Sequence, residues 1–178
     1  MRYLLSNILG EMTGINAKDC TNLGEQYRVI LDKCYFFEKN KKTVDEAEEN
    51  CHDVFGPNRH GKVIEPQTVE SLEMVQEVSR EIFGEGKDVL TGFKKMDDKG
   101  LNVVYHSTGL KTVIEPWIGN GRIDDENQDY VRFLTQETDV WQDGKNDEGW
   151  LYNSVCEIPL KPTQQNWRTV AKGLFDFE

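Results

Sequence analysis

The sequence predicts an α+β fold in one domain, and three observations carry that expectation. Two amphipathic helix patterns, each opened by a capping signal, stand in the first half of the chain. The second half holds short β-branched and aromatic runs around a long polar stretch, so strands and helices are not arranged as a βαβ repeat. No segment repeats, which argues against solenoids and propellers. The expected architecture is two helices, small antiparallel sheets and a long irregular loop region.

Taken in order, residues 1–19 read as a leader or a poorly ordered N-terminus. Asn7 interrupts the short apolar run of MRYLLSNILG, and no small-residue cleavage site follows. Tyr27–Phe37 is β-branched and aromatic with Asp32-Lys33 in its middle, which reads as two short strands around a turn. Thr43 and Glu46 form a capping-box pattern. The helix that follows places Val44, Ala47, Cys51 and Val54/Phe55 on one face and ends at Gly56-Pro57. Residues 61–64 read as a strand. Pro66 and Thr68 open the second helix, with Val69, Leu72, Val75 and Ile82 inward and Gly84 and Gly86 closing it.

Strands are then expected at Val89–Phe93, Leu101–Tyr105, Tyr130–Leu134 and Tyr152–Ile158. A turn stands at 97–100, an irregular stretch at Ser107–Gln128 and a polar turn at Asp143–Gly149. Val44, Ala47, Leu72 and Val75 are expected to share one core with the strand pair 89–93 and 101–105.

The chain of 178 residues, 37% of them hydrophobic, can bury a core and is too apolar for a disordered segment. No apolar run approaches the roughly 20 residues that span a bilayer. The net charge of −11 argues against nucleic acid, which demands a basic face, and against anionic membranes. Nine acids and two bases fall between Asp124 and Glu148. That excess is either a solvated surface or a cation site.

Cys20, Cys34, Cys51 and Cys156 contain no C-x-x-C pair, so zinc-ribbon and thioredoxin readings are weak. An even, widely spread set suits two disulfides in an oxidising compartment; four reduced buried thiols are the alternative. Four cysteines allow three pairings, and spacing does not choose among them. There is no N-x-S/T sequon. His52, His60 and His106 are isolated in the sequence with no nucleophile pattern beside them, so no enzyme is expected.

Several of these pieces resemble C-type lectin-like domains over about residues 20–160. Cys34-Tyr35-Phe36-Phe37 followed by Ala47 and Cys51 is similar to the family's opening strand and helix. Leu90-Thr91-Gly92-Phe93 is similar to its Trp-Ile-Gly-Leu strand. Trp117 followed by GRIDDENQDYVRF, and then KNDEGWLYNSVCEIP, resemble the later segments up to the Cys-Glu ending. The resemblance implies pairing Cys51–Cys156 and Cys20–Cys34, the second closing the N-terminal hairpin of the long form. The family's other disulfide has no counterpart: Tyr130 stands where its first cysteine is expected, and no cysteine lies between Tyr130 and Cys156. Residues 161–178 lie outside the resemblance, with Trp167, Val170 and Leu174 at near-helical spacing.

In sugar-binding members, calcium is held by a Glu-Pro-Asn or Gln-Pro-Asp triplet and by the Asn-Asp of Trp-Asn-Asp, with sugar hydroxyls completing the shell. Here the second half survives as Asn146-Asp147, with Lys145 in place of the Trp. The triplet position falls on Arg122-Ile123-Asp124, which lacks the proline, and a guanidinium offers no oxygen to calcium. Glu115-Pro116-Trp117 spells most of the triplet but lies on the wrong side of Trp117.

What the resemblance implies is an extracellular, secreted recognition module without the standard calcium-dependent sugar site. It would bind a glycan or a protein through its loop surface, with Trp117, Arg122, Trp141 and Trp150 as ligand-binding candidates and no cofactor. The alternative is a working calcium-dependent carbohydrate-binding lectin whose divergent metal site draws on Asp124, Glu126, Asn146 and Asp147.

Overall fold

The computed structural model describes residues 14–95, 103–112, 130–135, 140–144 and 149–161, with the backbone alone described at 140–144. Helix α1 is Ala17–Asn22, and the hairpin β1 (Tyr27–Ile30) and β2 (Lys33–Lys42) follows it. Helix α2 is Val44–Asp53, β3 is Lys62–Val63 and α3 is Val69–Phe83. The later strands are β4 (Asp88–Lys95), β5 (Val103–Tyr105), β6 (Tyr130–Leu134), β7 (Val140–Gly144) and β8 (Tyr152–Pro159).

Local chemistry sets both long helices. Thr43 Oγ1 accepts the Glu46 amide at 3.3 Å, and Glu46 reaches back to the Thr43 amide at 2.9 Å. Thr68 and Ser71 close a second reciprocal box at the start of α3. Gly84, with φ 84°, ends α3 in the left-handed region that a residue with a Cβ adopts only under strain.

The strands form one mixed sheet in the order β1-β2-β8-β4-β6-β7, with β3 also on β8 and β5 also on β4. The β4–β8 pairing is parallel, and the others between named strands are antiparallel. Strand β8 is central and buried on both faces from Tyr152 to Ile158. Alternation along β2 sends Tyr35 and Phe37 to one face and Cys34 and Phe36 to the other.

Those two faces carry separate cores. Leu72 and Val75 of α3 pack with Tyr35, Phe37, Val89, Phe93 and Phe133. Val44, Ala47, Cys51 and Phe55 from α2 and its end pack with Leu90, Tyr130, Tyr152, Cys156 and both disulfides. The single shared core expected from sequence is therefore divided by the sheet. Val69, expected inward, is 57% exposed, because it is the first residue of α3 and lies outside the sheet contact. Leu72→Ala is expected to destabilise the domain by about 2–5 kcal/mol, read from the urea midpoint. A change of only a few tenths would mean that α3 is not docked on the sheet.

The N-terminal boundary also falls earlier than the sequence suggests. Ile15 is fully buried; its amide donates to the Pro159 carbonyl at 3.1 Å and its carbonyl accepts the Lys161 amide at 2.8 Å. A Cβ at Gly14 would stand 2.6 Å from the Pro159 oxygen, so only glycine permits this approach. Asn16 caps α1 through the Asp19 amide at 2.8 Å. Residues 14–19 thus belong to the folded domain rather than to a leader; residues 1–13 and 162–178 lie outside the described residues. The hairpin turn is Leu31-Asp32, one residue before the expected Asp32-Lys33, and Leu31 takes the positive φ of 52° that such a two-residue turn requires.

Candidate functional site

Cys20 is bonded to Cys34 and Cys51 to Cys156, the pairing that the resemblance implies. The second bridge ties α2 to the central strand. Trp117, Arg122, Asp124, Glu126, Asn146 and Asp147 lie outside the described residues, and of Trp141 only the backbone is described, opposite Phe133 in the β6–β7 ladder.

Trp150 is described. It is half-buried against the second core, tilted on Tyr152 at 6.5 Å, with the Arg132 guanidinium 5.4 Å from the centre of its ring. Arg132 in turn pairs with Asp88. One side of the indole thus meets a cation. Part of the stretch expected to be irregular is ordered: Tyr105 donates to the Leu110 carbonyl at 2.9 Å and Thr112 to the Val103 carbonyl at 3.1 Å, so the chain turns back along β5.

Tyr130, at the position of the absent disulfide, is 7% exposed and starts β6. Lys94 Nζ lies 5.6 Å from its ring centre and the His106 ring meets it edge-on at 5.7 Å. An aromatic side chain thereby fills the space beside Lys94 and His106 at the start of β6.

A second feature was not legible from sequence spacing. Between α2 and the β3–β4 edge lies a cleft of about 170 Å³ lined by Glu48, His52, Lys62, Glu65, His106 and Ser107. Glu48 and His52 share a helix face because they are four residues apart. Glu65 is almost fully buried and accepts the Ser107 amide at 2.7 Å, the Ser107 hydroxyl at 2.5 Å and the Lys62 ammonium. Gly92 makes this possible: a Cβ there would stand 2.6 Å from Glu65 Cγ. His106 Nδ1 is 2.7 Å from Glu48 Oε1. Burial holds the Glu48 carboxyl above the ordinary carboxylate range, His106 works against that rise, and Asp45 adds to it.

The three histidines, isolated in sequence, therefore gather on one side of the molecule. His52 and His106 line the same cleft, and His52 stacks on His60 at 4.0 Å. They do not build a nucleophilic centre, because the Ser107 hydroxyl is committed to Glu65 and accepts from Lys62 at 3.2 Å. No group of three or more His, Cys, Asp or Glu side chains among the described residues is placed to hold a metal ion.

No protein-family model matches the sequence, and no curated protein matches it. Solved structures do. The C-type lectin CEL-I from Cucumaria echinata superposes with a TM-score of 0.63 at 17% identity, covering 78% of this chain and 98% of that one. Human lithostathine gives 0.57 at 15% identity, covering 76% and 90%. A calcium-independent type II antifreeze protein gives 0.58 at 15% identity, covering 76% and 93%.

The chain has the C-type lectin-like fold.

Within that fold the two disulfides and the two faces of the sheet form the scaffold, and the cleft at α2 lies against the β3–β4 edge. At these identities the likeness establishes architecture and leaves the ligand to the chemistry of this chain's own residues. No helix among the described residues is long and apolar enough to cross a membrane. Two disulfides are bonds that persist in an oxidising compartment.

Proposed function

We propose that this C-type lectin-like domain is an extracellular, non-enzymatic recognition module. It binds a glycan or a protein through its loop surface, without the standard calcium-dependent sugar site. The observation that carries the reading is Arg122-Ile123-Asp124 at the triplet position. A guanidinium there offers no oxygen to a cation and sets a positive charge in an otherwise acidic stretch of sequence, and the missing proline removes the residue type that readily accepts a cis peptide bond. That one solved structure of this fold is called calcium-independent supports the reading as a precedent for the scaffold. The half-buried Trp150 supports a contact surface at the loop end, since aromatic side chains anchor both sugar and protein partners.

Calcium addition is expected to leave the melting temperature unchanged. A ligand at a hundred times its dissociation constant adds about 2.7 kcal/mol, on the order of 5–10 °C for a domain of this size. A clear calcium-induced rise would instead favour the working-lectin alternative, with Asp124, Glu126, Asn146 and Asp147 as ligands. Glycan-array binding with and without a chelator separates the same two readings: chelator-insensitive binding agrees with the proposal, and chelator-sensitive binding overturns it.

A further inference from the structure

A titratable contact joins α2 to the turn that follows β5. His106 Nδ1 lies 2.7 Å from Glu48 Oε1, and both side chains are about one-third exposed at the mouth of the cleft. The other ties of this turn have different partners. The His106 amide donates to the Gly92 carbonyl at 2.7 Å, and the Ser107 amide and hydroxyl donate to Glu65. The His106 ring meets Tyr130 edge-on, and Lys94 stands over the same tyrosine ring. Among the described residues, the groups that surround the contact are Asp45 and His52 from α2, Lys62 and Glu65 from the β3 edge, Lys94 from β4 and Tyr130 from β6.

Histidine is the side chain whose charge ordinarily changes near neutrality. When the imidazole holds two protons, Nδ1–H donates to the Glu48 carboxylate and the bond is charge-assisted at both ends. When one proton leaves, a partly buried carboxylate faces a neutral ring. Burial holds the Glu48 carboxyl above its ordinary range; His106 opposes the rise, Asp45 adds to it and Lys94 opposes it. An imidazole beside a carboxylate, and a carboxyl inside a cleft, each hold a proton more tightly than they do in water. The closed contact is therefore the state that binds protons better, and such a state gains population as pH falls.

We propose that Glu48 and His106 form a proton-closed latch, which fixes the 106–107 turn to α2 more firmly in mild acid than above neutrality. In the chain, Ser107 precedes the loop candidates Trp117, Arg122, Asp124 and Glu126. On the proposed reading of those residues as a contact surface, the latch is a regulatory element at the entry to that stretch. The latch belongs to the turn and is read without a ligand or calcium, so its failure would leave that reading standing.

The test is amide hydrogen exchange of the full chain at pH 6 and pH 8, with each rate expressed as protection relative to the intrinsic rate at that pH. Protection of the His106 and Ser107 amides is expected to be about 1.5–5-fold greater at pH 6, the range of one exposed ion pair. The Gly86 amide, which donates to the Thr135 carbonyl just past the end of α3, reports on the fold away from the latch and is expected to show no such gain. Glu48→Gln keeps a polar side chain without the charge and is expected to abolish the pH effect. His52→Gln/His60→Gln removes the other two histidines and is expected to preserve it. Protection at pH 6 equal to or below that at pH 8 would overturn the proposal, and so would a pH effect that survives Glu48→Gln. Loss of the effect in His52→Gln/His60→Gln would overturn it in favour of the stacked histidine pair as the titrating element.

Discussion

Replacing Cys51 and Cys156 together by alanine is expected to lower stability by about 4–5 kcal/mol. The bridge spans 105 residues of sequence, and in the chain-entropy model a closed loop of that length restricts the unfolded chain by about this amount. Both cysteines are fully buried between α2 and β8, so the paired substitution also opens a gap in the second core. The expected fall in melting temperature is about 8–20 °C. The matching Cys20→Ala/Cys34→Ala change closes only a 14-residue separation and is expected to cost about 3 kcal/mol. Urea unfolding of the two double variants checks the ranking. A loss below about 2 kcal/mol for the long bridge would show that α2 is held to the sheet by packing alone.

The second large effect concerns a charge inside the sheet. Glu157 on β8 is 1% exposed, and Lys33 Nζ lies 2.8 Å from its Oε1. Lys62 is more distant at 3.9 Å, Glu65 adds repulsion, and Glu157 Oε2 has no partner among the described residues. Burial raises the Glu157 pKa, while Lys33 and Lys62 oppose the rise. Lys33→Met breaks the close pair and leaves a buried carboxylate less compensated, with an expected loss of about 3–5 kcal/mol at neutral pH.

The pH dependence has a definite sign. A carboxyl whose folded pKa lies above its unfolded value contributes stability that is full below the unfolded pKa and is lost as pH rises through the folded one. Removing Lys33 raises the folded value further. The deficit of Lys33→Met should therefore be largest at neutral pH and shrink as pH falls toward the unfolded value of 4.5. Lys33→Met/Glu157→Gln should recover most of the loss at neutral pH, since no buried charge remains at that position. Stability curves at pH 4 and pH 7 would reveal this; a pH-independent deficit would point to lost packing of the lysine stem instead.

Most elements formed by neighbouring residues were legible. Thr43 with Glu46, and Thr68 ahead of α3, announce helix starts through groups three residues apart. The apolar spacing of Val44, Ala47 and Cys51 marks a buried face, and the structure buries it. Strand β7 escaped notice because Val140 and Trp141 stand within an acidic stretch whose period gives no clear alternation. The segment at Ile15 escaped because its structure depends on Pro159 and Lys161, more than 140 residues away in the chain. Of the ligand-binding candidates, only Trp150 has a described side chain, and the Arg132 contact to its ring has no local signature.

The sequence by itself determined the α+β class, the two long helices and most strands, because caps, periodicity and turn residues act over three or four positions. It also carried the C-type lectin-like resemblance, through short motifs in a fixed order. Only the tertiary structure decided that one sheet separates two cores, that β4 runs parallel to β8, and that three scattered histidines stand on one side of the fold. The physical reason is that strand partners and buried charge pairs join residues far apart in the chain. Lys33 and Glu157 are separated by 124 positions, and no local pattern at either one names the other.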